Sequence, residues 1–329
     1  MMTLAAAIDD RLRPAMEALV CTDHSPLRLA VQTVPEPAPL ANEALVAVRA
    51  VSLNRGELRN LETALPGWRP GWDLAGDVLA RAADGSGPPV GARVVGLLRG
   101  EPADAARGPG DDHVLAQQGA PARQRGEGRE TRDRQRRGVG VRDRIGQRGQ
   151  LMRRHGDPLG PGTAAQLAAR GGAHVTGVAR SADRLVPLLE RGAIHTAVTS
   201  LADAPGPFDL VLESTGGPDL GVALARLAPG GMIVNFGNSS RSPTTFNVSD
   251  FYGRGSVSLH GLFLFDELLR RGNSGARDLG TLAALVADGE LVPQISVTAP
   301  WRAPWPALQA LIDRSLLGKA VLDFAVSKN

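Results

Sequence analysis

The sequence predicts a two-part α/β protein: mostly antiparallel β-structure over 17–98, then a doubly wound parallel sheet over 163–261. Three observations carry this. Between Glu17 and Leu98, short apolar or alternating runs are separated by proline and glycine clusters, the pattern of strands and turns. Between Thr163 and Gly261, continuous apolar strands alternate with capped helices, and repeated β-α-β units of that kind build a parallel sheet covered on both faces. The length, 329 residues, suggests two domains at roughly 100 to 200 residues each.

In the first part, ALVC and LRLAVQTV read as strands and PEPAPLAN as a turn cluster. EALVAVRAVSLN sets Leu45, Ala47 and Arg49 against Val46, Val48 and Ala50, a good strand. PGWRPG turns the chain, DLAGDVLA is the next strand, DGSGPPVG a loop, and ARVVGLL the strand after it. In the second part, TAAQLAARGG is a short helix with a glycine C-cap, AHVTGVAR a strand, and SADRLVPLLERGA a capped helix. That helix carries Leu185, Leu188 and Leu189 on one face and stops at Gly192. HTAVTS, the buried strand FDLVLEST, the helix DLGVALARLAPGG with its proline and glycine stop, and the strand MIVNFGNSS follow. Nearer the C-terminus, DLGTLAALVADGELV is a helix with Leu279, Leu282 and Val286 at helical spacing, and PWPALQALIDRSLLGKAVLDF gives a helix and a last strand.

Composition is that of a soluble globular chain. MMTLAAAIDDRLR has no basic leader and too short an apolar run for a signal peptide, and no stretch of 18 apolar residues offers a membrane span; a cytoplasmic protein is expected. One cysteine, Cys21, excludes an internal disulfide framework and a cysteine-rich zinc module, and reads as a small apolar filler on an early strand. The six histidines show no paired metal-ligand spacing. No G-x-S-x-G elbow supports a hydrolase. The net charge of +3 is unevenly spread: residues 101–160 hold thirteen arginines and no lysine, phenylalanine, tryptophan or tyrosine.

Ligands bind doubly wound sheets at the carboxyl ends of the strands. AHVTGVAR ends in Arg180, followed by Ser181 and Arg184, with no acid at its tip; an arginine there suits the extra phosphate of NADP, whereas a carboxylate suits the ribose of NAD. The bland alternative is a solvated helix start. FDLVLESTGG ends in Ser214, Thr215 and two glycines, and MIVNFGNSS in Gly237, Asn238 and Ser239, small residues where a flat ring or a phosphate can approach.

These residues resemble the zinc-free, quinone-oxidoreductase-like branch of the medium-chain dehydrogenase/reductase family, the group that includes zeta-crystallin. The matching stretches are MEALV, VRAVSLNRGEL, PGWRPGWDLAGDV, GARVVGLL, AAQLAARGGAHVTGVARS, FDLVLESTGG, LAPGGMIVNFGNSS and RSLLGKAVLDF, in the family's order. The resemblance implies a Rossmann-type sheet at 121–261 and a discontinuous GroES-like β domain at 16–120 and 262–329, behind a tail at 1–15, with the acceptor in the cleft between domains. It implies a homodimer. It also implies NADPH as cofactor and hydride delivery to a quinone or an α,β-unsaturated carbonyl. A catalytic zinc needs three protein ligands; Asn54 stands where zinc-dependent relatives carry a cysteine, and Gly71, Trp72 and Asp73 stand for their Gly-His-Glu, so no metal is expected. By the same resemblance Asn54 lies beside nicotinamide and acceptor, Ser214 against the cofactor, and Phe236, Gly237, Asn238 and Ser239 in the loop over the nicotinamide. Arg180 and Ser181 would hold the 2'-phosphate. Lys319, where the last strand returns, is either a cofactor contact or a solvated turn lysine, and Asn54 has a turn-capping alternative. Trp68 and Trp72 either line the acceptor pocket or pack in the core.

Residues 101–162 depart from the family. In place of a buried strand and a glycine-rich phosphate turn stands LMRRHGDPLGPGTAAQLAA, where Pro158, Leu159 and Pro161 occupy small-residue positions. QLMRRHGD is not expected to form the central buried strand, because two adjacent arginines would be buried unpaired. GVGVRDRIG, with Gly138 and Gly140, is a weak fingerprint because no strand precedes it. Three readings stand: a segment read out of frame between faithful flanks, which is preferred; a disordered insertion; and an arginine arm for nucleic acid, the least favoured for want of aromatics. As written, the segment implies weakened NADPH binding, so a cofactor-impaired or non-catalytic member of the fold is the runner-up reading.

Overall fold

The computed structural model describes residues 14–98, 114–118, 150–155, 161–270 and 274–324. In chain order its first elements are β1 (Ala15–Cys21), β2 (Leu29–Pro35), β3 (Leu45–Leu53), α1 (Arg55–Thr63), β4 (Asp73–Ala80), β5 (Arg93–Leu98) and β6 (Val114–Gln118). Then come β7 (Gln150–His155), α2 (Pro161–Arg170), β8 (His174–Ala179), α3 (Val186–Glu190), β9 (Thr196–Val198), β10 (Phe208–Glu213), α4 (Gly217–Leu224) and β11 (Leu227–Asn235). The last are α5 (Val248–Tyr252), β12 (Ser258–Gly261), α6 (Leu264–Arg270), α7 (Ser274–Ala287), β13 (Ile295–Pro300), α8 (Trp305–Ile312) and β14 (Lys319–Asp323). The chain divides into two units, 1–119 with 275–283 and 295–329, and 120–274 with 284–294. The second unit thus runs on past 261 and takes 284–294 as well.

In the first unit, β1 and β2 form an antiparallel pair. A six-stranded sheet runs β13-β14-β3-β4-β5-β6, antiparallel except between β13 and β14. The C-terminal strand therefore lies beside β3, with Ala320 opposite Leu53. That register brings Lys319, the first residue of β14, to the residue that follows β3. The core joins Cys21, Leu29, Leu53 and Leu61 to Trp301, Leu308, Leu311 and Leu322. Burial of each of these large side chains contributes about 1.5–3 kcal/mol. Cys21 is an inert member, its thiol pushed up by burial.

The second unit is a six-stranded sheet of order β12-β11-β10-β7-β8-β9, parallel throughout. Counted along the chain this is 3-2-1-4-5-6 read from the other edge, and the order reverses between β7 and β10. Both faces are covered. Val175, Ala179, Leu185, Leu188 and Ile194 pack with Ala165 of α2 on one side, and Val178, Phe208, Val211 and Ile233 pack with Leu220 and Leu224 of α4 on the other. The helix expected over SADRLVPLLERGA is broken into a 3-10 turn at Ala182–Arg184 and the short α3, with Pro187 near the start of α3. Leu189 is consequently exposed while Leu185 and Leu188 are buried.

One expectation is overturned. QLMRRHGD was not expected to be central, yet β7 pairs with β8 from Gln150↔His174 to His155↔Ala179 and with β10 from Leu210↔Leu151 to Leu212↔Arg153. The reason is the backbone. β8 and β10 both present rows of amides and carbonyls toward the gap, and leaving two buried strand edges unpaired is worse than accepting polar side chains. The ladder needs only main-chain groups. Most of 101–162 otherwise lies outside the described residues, including Pro158, Leu159, Gly138 and Gly140.

Candidate functional site

The first unit buries a polar cluster at the start of α1. Asn54 is the N-cap of that helix and Glu57 its third residue, a capping box in which the Glu57 carboxylate accepts the Asn54 backbone N–H at 2.6 Å. Lys319 Nζ donates to Asn54 Oδ1 at 2.8 Å and to the Leu53 carbonyl at 3.3 Å. The solvated-turn reading of Lys319 is therefore wrong: its side chain is 9% exposed, Asn54 5% and Glu57 3%. Asp73 on β4 accepts from Ser52 N at 2.7 Å and from the Ser52 hydroxyl. Burial raises the Glu57 carboxyl to about 7, Asp73 adds to the rise, and Asn54 and Lys319 oppose it. The Trp72 ring lies on α1 so closely that a Cβ on Gly56 would meet it at 2.1 Å. Trp68 packs against the core.

The second unit gathers the loops after β10 and β11, adjacent parallel strands whose ends register as Glu213↔Asn235. Glu213, 1% exposed, organises them: its carboxylate accepts from Thr215 N at 2.5 Å, Gly216 N at 3.0 Å and Asn235 Nδ2 at 2.6 Å. Asn235 Nδ2 also donates to the Gly237 carbonyl at 2.9 Å. The Ser239 N–H reaches the Ser214 carbonyl at 3.2 Å and the Ser240 N–H the Thr215 carbonyl at 2.8 Å. Gly237 sits so close that a Cβ would stand 2.8 Å from the Ser214 carbonyl oxygen. Ser214, Gly237, Asn238 and Ser239 are thus brought together, with Phe236 donating its N–H to the Glu213 carbonyl at 2.9 Å.

Two hydroxyls in this loop pair, Ser214 Oγ and Thr215 Oγ1, are buried and have no hydrogen-bond partner among the described residues. Buried hydroxyls normally have one. They stand at the carboxyl end of β10, beside the point where the strand order reverses, the usual ligand position of such a sheet. A group with its own donors and acceptors fits there. Arg180 and Ser181 lie apart from this cluster, past the end of β8, two strands away in the sheet order. Arg180 is exposed; burial and then Arg180's charge lower the Arg184 guanidinium.

Glu57 and Glu213 were not singled out from the sequence. The signal for Glu57 was present in Asn54-Arg-Gly-Glu57, a capping-box spacing. For Glu213 it was an acid closing the apolar run Leu210–Leu212. Among the described residues, no group of three or more His, Cys, Asp and Glu side chains could hold a metal ion, and no helix is long and apolar enough to cross a membrane.

Residues 162–274 match the family model described as zinc-binding dehydrogenase. Solved structures agree over nearly the whole chain. The quinone oxidoreductase from Coxiella burnetii aligns with a TM-score of 0.67 at 19% identity, covering 94% of this chain and 99% of its own. A mycobacterial quinone oxidoreductase aligns at 0.70 and 17%, covering 94% and 99%. An alcohol dehydrogenase superfamily protein from Novosphingobium aromaticivorans aligns at 0.70 and 21%, again covering 94% and 99%. No curated protein matches the chain in sequence. Residues 162–274 are thus similar to the zinc-binding dehydrogenase family, and the solved structures show the fold that the chain shares with them.

Proposed function

We propose that the chain is an NADPH-dependent reductase that passes hydride to a quinone or an α,β-unsaturated carbonyl without zinc, as a cytoplasmic homodimer. The observation that carries the reading is the pair of orphaned hydroxyls, Ser214 Oγ and Thr215 Oγ1, at the carboxyl end of β10. When bound, the dihydronicotinamide supplies the hydride and its electron pair, and a proton from water completes the reduced acceptor. Ser214 would hold the cofactor through its hydroxyl, with Phe236, Gly237, Asn238 and Ser239 packed beside it. Arg180 and Ser181 would hold the 2'-phosphate. Asn54, fixed by Lys319, would orient the acceptor. The zinc-free part rests on Asn54 and the Gly71-Trp72-Asp73 run, which replace cysteine and histidine ligands.

The test is NADPH and NADH oxidation with 1,4-benzoquinone and with an enone, with and without a chelator. NADPH consumption insensitive to chelation is expected; loss on chelation, or preference for NADH, sinks the reading. A cofactor-impaired member of the same fold is the second reading, favoured by the start of α2. Pro161 brings no amide N–H to that helix terminus, and the Gln294 side chain fills the space beside Gly162. Saturable, tight NADPH binding by the full chain would exclude it.

A further inference from the structure

Asn54 is held from two directions by groups that are far apart in the chain. From β14 comes the Lys319 ammonium, a donor only, at 2.8 Å from Oδ1. From α1 comes the Glu57 carboxylate, which takes the Asn54 backbone N–H at 2.6 Å and is also hydrogen-bonded by its side chain. Both groups are buried, and the Lys319 charge favours the ionised Glu57 against the larger effect of burial. Asn54 is the uncharged bridge between them.

We propose that Glu57 is a positioning residue of the acceptor site, gripping Asn54 from α1 as a carboxylate while Lys319 grips it from β14, and that fast hydride acceptance needs both grips. This rests on the reductase reading above. Protonation of Glu57 turns a charge-assisted hydrogen bond to the Asn54 N–H into a weaker neutral one, so Asn54 is held less firmly. The charged groups that act on Glu57 are Asp73 on β4 and Lys319 on β14, and Asn54 is its hydrogen-bond partner. Asp73 is engaged by Ser52.

Two measurements on the full chain test this. The first is kcat and KM for NADPH and 1,4-benzoquinone from pH 6 to 8, in the wild type and Glu57→Gln. With Glu57 titrating at about 7, kcat should rise about tenfold over that range in the wild type, with little change in KM, and stay flat and low in Glu57→Gln. A bend that persists in Glu57→Gln, or a rate that falls as pH rises, overturns the proposal. The second needs no turnover: carbon-13 NMR of the glutamate carboxyls, the Glu57 resonance being assigned by its loss in Glu57→Gln. A midpoint near neutrality that moves up by about one unit in Lys319→Met supports the grip; a midpoint unmoved in that variant, or no glutamate titrating above about 5 in the wild type, overturns it. A chain whose Glu57 behaves as expected but that consumes no NADPH at any pH refutes the reductase reading and leaves the grip standing.

Discussion

Glu57 ionises in the unfolded chain near its ordinary value of 4.5 and in the folded protein at about 7. Between those values the folded state keeps a proton that the unfolded state has released, so its contribution to stability is complete below about 4.5 and is lost as the pH rises through about 7. The whole interval corresponds to about 3 kcal/mol. Glu57→Gln should therefore lose less stability than the wild type between pH 5 and pH 8, measured by urea unfolding at both. Parallel losses would count against a buried, neutral-titrating carboxyl. Ser214 gives the opposite kind of test. Its hydroxyl has no partner among the described residues, so Ser214→Ala should leave the melting temperature unchanged or slightly raised, since a buried unpaired hydroxyl costs about 1–3 kcal/mol. The same change should weaken NADPH binding about tenfold, the equivalent of one hydrogen bond of about 1.4 kcal/mol, as read by fluorescence titration. A melting temperature that drops while binding stays intact would show Ser214 to be purely structural.

The elements that the sequence made legible are those with strong local patterning. β3 alternates, and α2 closes on Gly171 and Gly172, with Gly172 in the left-handed region at φ 86°. The loops after β10 and β11 were legible as small-residue strand ends, but not their joining. That joining depends on Glu213 bonding amides of its own loop and Asn235 of the next strand, a tertiary fact with only a lone terminal acid as its trace. At Gly237 the two loops lie against each other. Gly237→Ala must displace the Ser214 carbonyl, 2.8 Å from the new methyl, and overpacking of this kind costs about 1–3 kcal/mol. Both the melting temperature and NADPH affinity should fall, in contrast to Ser214→Ala, which moves affinity alone. At the end of β8, Arg180→Ala should cost NADPH about tenfold or more in affinity and leave NADH unaffected; equal losses for both would return Arg180 to the reading of a solvated helix start.

At the scale of the whole molecule, the least legible feature is the strand that centres the second sheet. Arginines within a strand argue against burial when side chains alone are weighed, and Gln150–His155 contains two. What decides the matter is topology. α2, β8 and α3 on one side and β10, α4 and β11 on the other build two half-sheets, each with an inner edge that must be satisfied. α2 is further tied within its unit by Gln166, which exchanges hydrogen bonds with Val292 at 3.0 and 2.9 Å, and by an ion pair of Arg170 with Glu290 at 2.6 Å. With the half-sheets so placed, any strand of the right length completes the ladder, whatever its side chains. The consequence is measurable by hydrogen exchange. β7 is flanked by a strand on each side, with Leu151, Met152 and Arg153 paired to both, so its amides should open only with the sheet and exchange as slowly as those of β8 and β10. The edge strands β9 and β12, each paired on one side, should exchange faster than all three. Exchange of 150–155 within seconds, while β8 and β10 stay protected, would show that the half-sheets hold without a central ladder and would restore the expectation drawn from the arginines. Slow exchange would mean that this sheet takes its centre from backbone edges and tolerates a sequence that pattern alone would reject.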